Sequence, residues 1–145
     1  MVKLMELEVL TPAKSLVLRS DVAYVLLDVV TGGIGVLANH EPLLAVLKEG
    51  PLKIQNDKGE LSLAYVEGGF VEVKDNKVVI LTPRAELAEH IDALHYENLV
   101  QEAQARLENP DSLTDIEHTE KILRRAKARL ATIALAKTAK PLRIN

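Results

Sequence analysis

The chain has 145 residues, 48% of them hydrophobic and 3% aromatic, and its formal net charge is −3. This length suits one ordinary domain, with or without a small appendage, and the hydrophobic content excludes disorder. The acidic balance argues against a nucleic-acid partner, because phosphate contacts need a basic face. The sequence has no cysteine, which excludes disulfides, thiolate metal sites and cysteine nucleophiles.

The N-terminus predicts neither export nor membrane insertion. Glu6 and Glu8 stand where a signal peptide needs an unbroken apolar core. No apolar run approaches the ~18 residues of a membrane span. We therefore expect a soluble chain made in the cytoplasm, which could still sit on a membrane complex.

Residues 1–84 predict an antiparallel β-sandwich of about ten short strands, because extended apolar segments alternate with turn signals. Gly50-Pro51 is expected to break the chain after Leu43–Leu47, whose periodicity leaves helix and strand open. The expected strand segments lie at 5–9, 15–18, 21–30, 35–37, 52–54, 61–66, 70–73 and 78–81.

Residues 64–92 join the β half of the chain to an α half. Gly68-Gly69 predicts a bulge or a close backbone approach, and Lys74–Lys77 predicts a hairpin turn. After Thr82-Pro83 the apolar period changes from two to about 3.6, and no strand signal remains from Ala85 onward.

Residues 85–145 predict an antiparallel hairpin of two helices, at about 92–109 and 114–137. Asp92 is a plausible N-cap for the first helix. Thr114 and Glu117 have the spacing of a capping box that starts the second. The expected fold class is therefore α+β, with a sandwich followed by a helical hairpin.

Charge divides between the two predicted helices. The first is largely acidic, with Glu97, Glu102 and Glu108. The second is basic, and its cationic side chains are Lys121, Arg124, Arg125, Lys127, Arg129, Lys137, Lys140 and Arg143. Two interpretations stay open: the helices attract each other, or the basic helix detaches and seeks an acidic partner.

The sequence predicts no catalytic or metal site. Its four histidines lack a metal-ligand spacing, and no serine lies in a nucleophile elbow. Thr31–Gly35 lacks the Lys-Ser/Thr of a phosphate-binding loop, so a hairpin turn is expected there. We expect a protein that binds rather than an enzyme.

Five short segments carry a further signal. They are Leu7–Pro12, Gly35–Leu37 followed by His40–Leu44, Val66–Val73, Ala85–Asp92 and Leu123–Leu130. In composition and order they resemble the ε subunit of bacterial F-type ATP synthases, the equivalent of the mitochondrial δ subunit, over nearly the whole chain.

The resemblance implies a non-catalytic central-stalk (rotor) subunit. Its partners would be the γ subunit, the c-subunit ring and the α/β catalytic head, and it would lie peripherally on the cytoplasmic face of the plasma membrane. Gly33 stands where many members carry an acidic residue, and torque can instead be carried by apolar packing and shape. The implied ring and γ contacts are Gly32, Gly33, Ile34, His40, Pro42 and Leu43.

The resemblance also implies a regulatory hairpin that folds on the sandwich or extends into the head, where it blocks ATP hydrolysis. Arg124, Arg125 and Arg129 are expected to exchange an acidic neighbour within the chain for an acidic loop on the head.

Some relatives bind ATP between sandwich and hairpin through an Ile-Asp-x-x-Arg motif. The matching residues are Glu86, Ile91, Asp92, Arg125 and Arg129. His95 replaces the motif arginine, and a mostly neutral imidazole cannot replace a bidentate phosphate partner. We expect weak ATP binding or none, and no other cofactor.

Two alternatives remain at this point. An ATP-sensing module would bind ATP in preference to ADP as an isolated chain. An unrelated β-sandwich adaptor would be recovered in a complex that contains no ATPase.

Overall fold

The computed structural model describes residues 2–144 as seven β-strands, one short 3₁₀ helix and two α-helices. The strands are β1 (Met5–Leu10), β2 (Ser15–Val29), β3 (Gly32–Leu37), β4 (Leu43–Asn56), β5 (Leu61–Lys74), β6 (Lys77–Leu81) and β7 (Ala85–Leu87). The 3₁₀ helix spans Ala88–His90, and the α-helices are α1 (Ala93–Glu108) and α2 (Ile116–Thr138).

The strands form one sheet that closes on itself. Their order is β1-β6-β5-β4-β2-β3, and β1 also pairs with β2, so the strands from β1 to β2 close around an aliphatic core and β3 pairs with β2 alone among the strands described. One ladder departs from the antiparallel prediction, because β1 and β6 run parallel. This pairing joins segments about 70 residues apart, so no local turn signal reveals its direction.

Seven strands replace the predicted ten because three of them are long. The predicted segments 15–18 and 21–30 belong to a single strand, β2, of 15 residues. β4 and β5 have 14 residues each, so Leu43–Leu47, left open between helix and strand, is strand. The predicted break at Gly50-Pro51 is wrong, because both residues pair with β5.

Pro51 is tolerated within β4 because pairing with β2 is interrupted there. The β2–β4 register shifts between the pairs Leu26–Lys53 and Val29–Leu47. A proline has no N–H to donate, and here the neighbouring strand does not require one. Beyond the irregularity, β4 pairs with β2 again at Val29–Leu47.

Two local predictions are confirmed in β5 and at its end. Gly69 has φ +105°, and a Cβ at this position would overlap the Leu81 carbonyl, so the close approach requires glycine. Asp75 and Asn76 form the turn to β6 with φ of 51° and 58°, as a tight hairpin needs.

The helical hairpin lies close to its predicted bounds. Asp92 caps α1 by accepting from the His95 N–H at 3.2 Å, as predicted. The capping box at Thr114 is wrong, because Asp115 caps α2 by accepting from the His118 N–H at 3.0 Å. The expectation that strand structure ends at residue 84 is also wrong, since β7 pairs with β5.

Within residues 2–144, no helix has the length and apolarity needed to cross a membrane.

Candidate interface between the sandwich and the helical hairpin

The helical hairpin covers one half of the outer face of β5. Ala64 and Val66 point into the core cluster, while Leu63 and Tyr65 alternate with them and are also buried. A strand that is buried on both faces needs a packing layer on each side. On the outer side, α2 packs on β4 and β5. Beyond Gly68-Gly69, the outer face of β5 is open, and Phe70 is 53% exposed.

Two glutamates lie directly opposite each other beneath α2. Glu49 of β4 pairs with Glu67 of β5 in the strand register, and their side chains are only 13% and 6% exposed. Like charges at opposed positions destabilise a ladder, so the pair needs cations from elsewhere. The Tyr65 hydroxyl donates to Glu49 Oε2 at 2.6 Å and meets part of this need.

Helix α2 supplies the required positive charge. Arg124 Nε lies 3.1 Å from Glu49 Oε1. Arg125 Nε lies 2.8 Å from Glu67 Oε1 and 3.7 Å from Glu49 Oε2, so it bridges both carboxylates. Consecutive arginines of one helix therefore neutralise a pair of strand glutamates.

Arg129, one turn further along α2, is enclosed by two aromatic rings. Its guanidinium carbon lies 4.2 Å from the Tyr65 ring centroid and 4.7 Å from that of Tyr96, and its Nε donates to Glu86 Oε1 at 3.3 Å. Cation–π contact strengthens when the cation is desolvated, and this side chain is 9% exposed. Burial, followed by the hydrogen bond to Glu49, raises the pKa of Tyr65 far above its usual range.

The acidic partners of α2 therefore lie on the sandwich and not on α1. The α1 glutamates Glu97, Glu102 and Glu108 are exposed, and none takes part in an ion pair found among residues 2–144. The two helices do pack against each other, but charge attraction between them, one of the two open interpretations, is not seen among these ion pairs.

The rest of the interface is small and incompletely packed. The buried residues of α2 are Thr119, Ala126, Arg129 and Thr132, and α1 buries Ala103. Near the end of α2, Ile133 and Ala136 line an open cleft of ≈ 590 Å³ together with Leu63 and Leu87. An interface of charges and small side chains beside an open cleft contributes less apolar burial than a core does.

The predicted ATP-binding residues have other partners in this conformation. Glu86 contacts Arg129, and Arg125 contacts the two strand glutamates. Asp92 caps α1, and Ile91 is buried at 8% exposure. His95 is exposed at the start of α1, with its ring against Tyr96.

The predicted rotor contacts fall into two groups at opposite ends of β3. Gly32, Gly33 and Ile34 begin the strand, whereas His40, Pro42 and Leu43 follow its end. Six extended residues span roughly 20 Å, so the two groups do not form one patch.

A surface that the sequence interpretation missed lies beside Gly68-Gly69. Val46 pairs with Phe70, and Phe70 pairs with Leu81, across β4, β5 and β6. Their exposed fractions are 45%, 53% and 51%. We call these three residues the apolar row. Five consecutive apolar residues at 43–47 could have revealed it, because a strand can turn only alternate residues to the core.

Glu49, Glu67 and Tyr65 were missed as well. The available signal was a glutamate within an otherwise apolar strand, as at Glu67 between Val66 and Gly68. A buried charge of this kind requires a partner, although the sequence does not say which. In the part of the chain that the structure describes, no cluster of His, Asp and Glu could hold a metal ion.

Comparison with known proteins identifies the family. A family model described as the ATP synthase delta/epsilon chain β-sandwich domain matches residues 4–88. The ATP synthase epsilon chain of Symbiobacterium thermophilum is 37% identical over 126 residues, which cover 87% of this chain and 90% of that relative. The epsilon chain of Staphylococcus aureus strain JH9 is 37% identical over 131 residues, which cover 90% and 97%.

Two solved structures share the fold. A chain in the Euglena gracilis mitochondrial ATP synthase has a TM-score of 0.69 at 24% identity, covering 94% of this chain and 81% of that one. A chain in the Tetrahymena thermophila mitochondrial ATP synthase has a TM-score of 0.54 at 22% identity, covering 93% and 95%. The matched segments include both the sandwich and the helices, and the chain belongs to the ATP synthase delta/epsilon family.

Proposed function

We propose that this chain is the non-catalytic central-stalk subunit of an F-type ATP synthase, in which the sandwich couples rotation and the helical hairpin inhibits ATP hydrolysis. The observation that carries the proposal is the interface under α2. Three arginines of one helix hold the hairpin to the sandwich through Glu49, Glu67 and Glu86. Such a contact can be exchanged for another acidic surface without unfolding either part.

The sandwich offers a docking surface for the γ subunit. The apolar row is exposed and contiguous, and exposed apolar patches of this kind mark interaction sites. Phe70 lies at its centre, where an aromatic side chain contributes most to binding. One end of β3, at Gly32–Ile34 or at His40–Leu43, would face the c-ring while the other lies nearer γ.

The hairpin has two states that differ by a modest free energy. In the folded state, buried charges are compensated; in the extended state, Glu49 and Glu67 regain water and the arginines meet an acidic loop of the α/β head. Replacing one compensated arrangement by another costs little, so the complex can select the state by differential affinity.

ATP binding is expected to be weak or absent. Arg125 and Arg129 already pair with carboxylates, and a triphosphate would have to displace Glu67 and Glu86 from them. His95 cannot supply the bidentate contact of an arginine. Calorimetry of the isolated chain should show no micromolar affinity for ATP, whereas His95→Arg should raise the affinity. Micromolar binding by the unmodified chain would overturn this expectation and favour an ATP-sensing role.

The proposed location is the cytoplasmic face of the plasma membrane, where the chain would be held peripherally through the complex. Recovery with γ and the c-ring from solubilised membranes, and loss from the membrane fraction when γ is depleted, would support it.

The test of inhibition compares ATPase activity of the complex assembled with the full chain and with a chain ending after Asn109. Truncation should raise hydrolysis, and unchanged activity would contradict the proposal. A full-length variant with Arg124→Ala, Arg125→Ala and Arg129→Ala gives an independent result. If the arginines bind the head, this variant loses inhibition although its hairpin is released; stronger inhibition would mean that they only hold the folded state.

A further inference from the structure

The residues after α2 continue the contact between the hairpin and the sandwich. On β4, alternate residues face outward, and Glu49, Lys53 and Gln55 lie on this face. Glu49 binds Arg124 of α2. Lys53 and Gln55 bind the chain beyond the end of that helix, so one row of strand side chains follows α2 and the segment after it.

Gln55 makes two hydrogen bonds to this segment. Its side-chain Nε2 donates to the Leu142 carbonyl at 2.7 Å, and its Oε1 accepts from the Leu142 N–H at 2.8 Å. Gln55 is 3% exposed, and the two bonds use both ends of its amide. The side chain therefore binds the Leu142 backbone as a neighbouring strand would.

Two further contacts hold the same segment. Lys53 Nζ donates to the Lys140 carbonyl at 2.7 Å. Pro141 lies against the turn between β4 and β5, with its Cβ 3.7 Å from the position that a Gly59 side chain would occupy. Residues 140–142, which we call the strap, are fixed by backbone contacts and ring packing.

We propose that the strap fastens the helical hairpin in its folded position and must detach before α2 can leave the sandwich. The inference rests on the proposed function in one respect, that the hairpin moves. The strap lies at the far end of α2 from Arg124, so together they hold the helix at two separated points. Its release is a separate step because Gln55 and Lys53 make no contact with the arginines.

Hydrogen exchange of the full chain tests the contact itself. The Leu142 amide should be protected, and Gln55→Ala should speed its exchange about tenfold or more. The Ala139 amide, which bonds to the Leu135 carbonyl within α2, should keep its rate. Leu142 exchange as fast as in an unstructured peptide would overturn the proposal.

Two engineered cysteines test the fastening, since the chain has none of its own. Dyes on Leu113→Cys in the turn between the helices and Glu72→Cys on β5 report opening of the isolated full chain. Gln55→Ala should raise the open fraction about fivefold, as expected for a lost net hydrogen bond. Gln101→Ala, on the exposed face of α1, is the control and should leave it unchanged.

Truncation after Ala139 guards against damage to the sandwich by Gln55→Ala, because it removes the strap and keeps Gln55. Both changes remove the same contact, so the double variant should be no more open than the truncation alone. Additive effects, or truncation that leaves the open fraction unchanged, would overturn the proposal. If the open fraction changes as stated but ATPase inhibition does not change with it, the role of the strap is supported and the proposed inhibitory function is contradicted.

Discussion

Arg125 Nε lies 2.8 Å from Glu67 Oε1, yet neither atom makes an aligned hydrogen bond with any of residues 2–144. The contact is therefore electrostatic and lacks the alignment of a hydrogen bond. A guanidinium held this way can rotate between Glu67 and Glu49, and it gives up little geometry when it leaves. The arrangement suits a helix that has to separate from the sandwich.

The two partners of this contact should respond unequally to substitution. Arg125→Ala leaves Glu67 without its arginine, because Arg124 contacts Glu49 alone of the two glutamates, and it should favour opening by roughly 2 kcal/mol. Glu67→Gln removes one of two opposed charges and should change the opening free energy by less than about 1 kcal/mol. Opening is measured with dyes at Leu113→Cys and Glu72→Cys.

Thermal unfolding of the sandwich is the control for that comparison, since both variants should keep its midpoint within about 2 °C. Equal opening in the two variants, or opening of Glu67→Gln alone, would contradict the asymmetry.

Arg129 should not tolerate lysine. The guanidinium stacks between Tyr65 and Tyr96 and bonds Glu86, whereas an ammonium cannot stack as a plane. Arg129→Lys should favour opening by about 1–2 kcal/mol, measured with the same pair of dyes. Arg106→Lys, on the exposed side of α1, is the matched control. A closed population as large as that of the unmodified chain would show that charge alone suffices.

Local signals predicted much of this fold but few of its long-range contacts. The Asp92 cap and the turn at Asp75-Asn76 depend on neighbouring residues, and both were predicted. Of the two interpretations of Gly68-Gly69, the close approach is confirmed, whereas the register of β4 and β5 continues through the glycines without a bulge. The continuation of β4 through Gly50-Pro51 was missed because glycine and proline, which favour a local chain break, say nothing about pairing across the sheet. The site depends on such distant pairs throughout: Glu49 and Arg124 are 75 residues apart, and Gln55 and Leu142 are 87 apart.

Raising the pH should open the hairpin before the Tyr65 hydroxyl ionises in the folded state. The pKa of Tyr65 is raised in the folded state from its usual 10.0. Below about pH 10 the phenol is protonated whether folded or unfolded, so its contribution is complete. As the pH rises above that value, only the unfolded or open state loses the proton, and stability falls by up to ~1.4 kcal/mol per pH unit.

The measurement follows opening and phenolate absorbance together through an alkaline titration. Tyr65→Phe should lower the free energy of opening by about 1 kcal/mol at neutral pH. It should also reduce the dependence of opening on pH in the alkaline range. An unchanged slope in this variant would assign the pH dependence to other groups.

The apolar row should decide assembly with γ. Phe70→Glu places a charge at its centre, and it should weaken binding of the full chain to the γ–c-ring assembly about 30-fold. Because Phe70 is half exposed, the unfolding midpoint of the isolated chain should change by no more than about 2 °C. Leu113→Glu, 91% exposed in the turn between the helices, is the control. Equal binding by both variants would remove the apolar row from the interface.

Gly68 and Gly69 should respond differently to alanine although they are adjacent. Both have φ in the left-handed region, +88° and +105°, so alanine at either should cost roughly 1–3 kcal/mol of stability. Gly69→Ala also drives a Cβ into the Leu81 carbonyl, whereas the nearest atom for Gly68→Ala is the Leu47 carbonyl oxygen at 3.5 Å. The backbone of β6 cannot move without breaking its parallel ladder with β1.

Urea unfolding should therefore find Gly68→Ala folded and moderately destabilised. Gly69→Ala should lower the free energy of unfolding by several kcal/mol more than Gly68→Ala does, or the chain should fail to fold. Because Gly69 lies between the hairpin-covered half of β5 and the apolar row, a folded Gly69→Ala chain should also bind γ more weakly. Equal stability of the two variants would mean that the β6 backbone shifts at little cost. The contact between Gly69 and Leu81 would then not fix the orientation of β5.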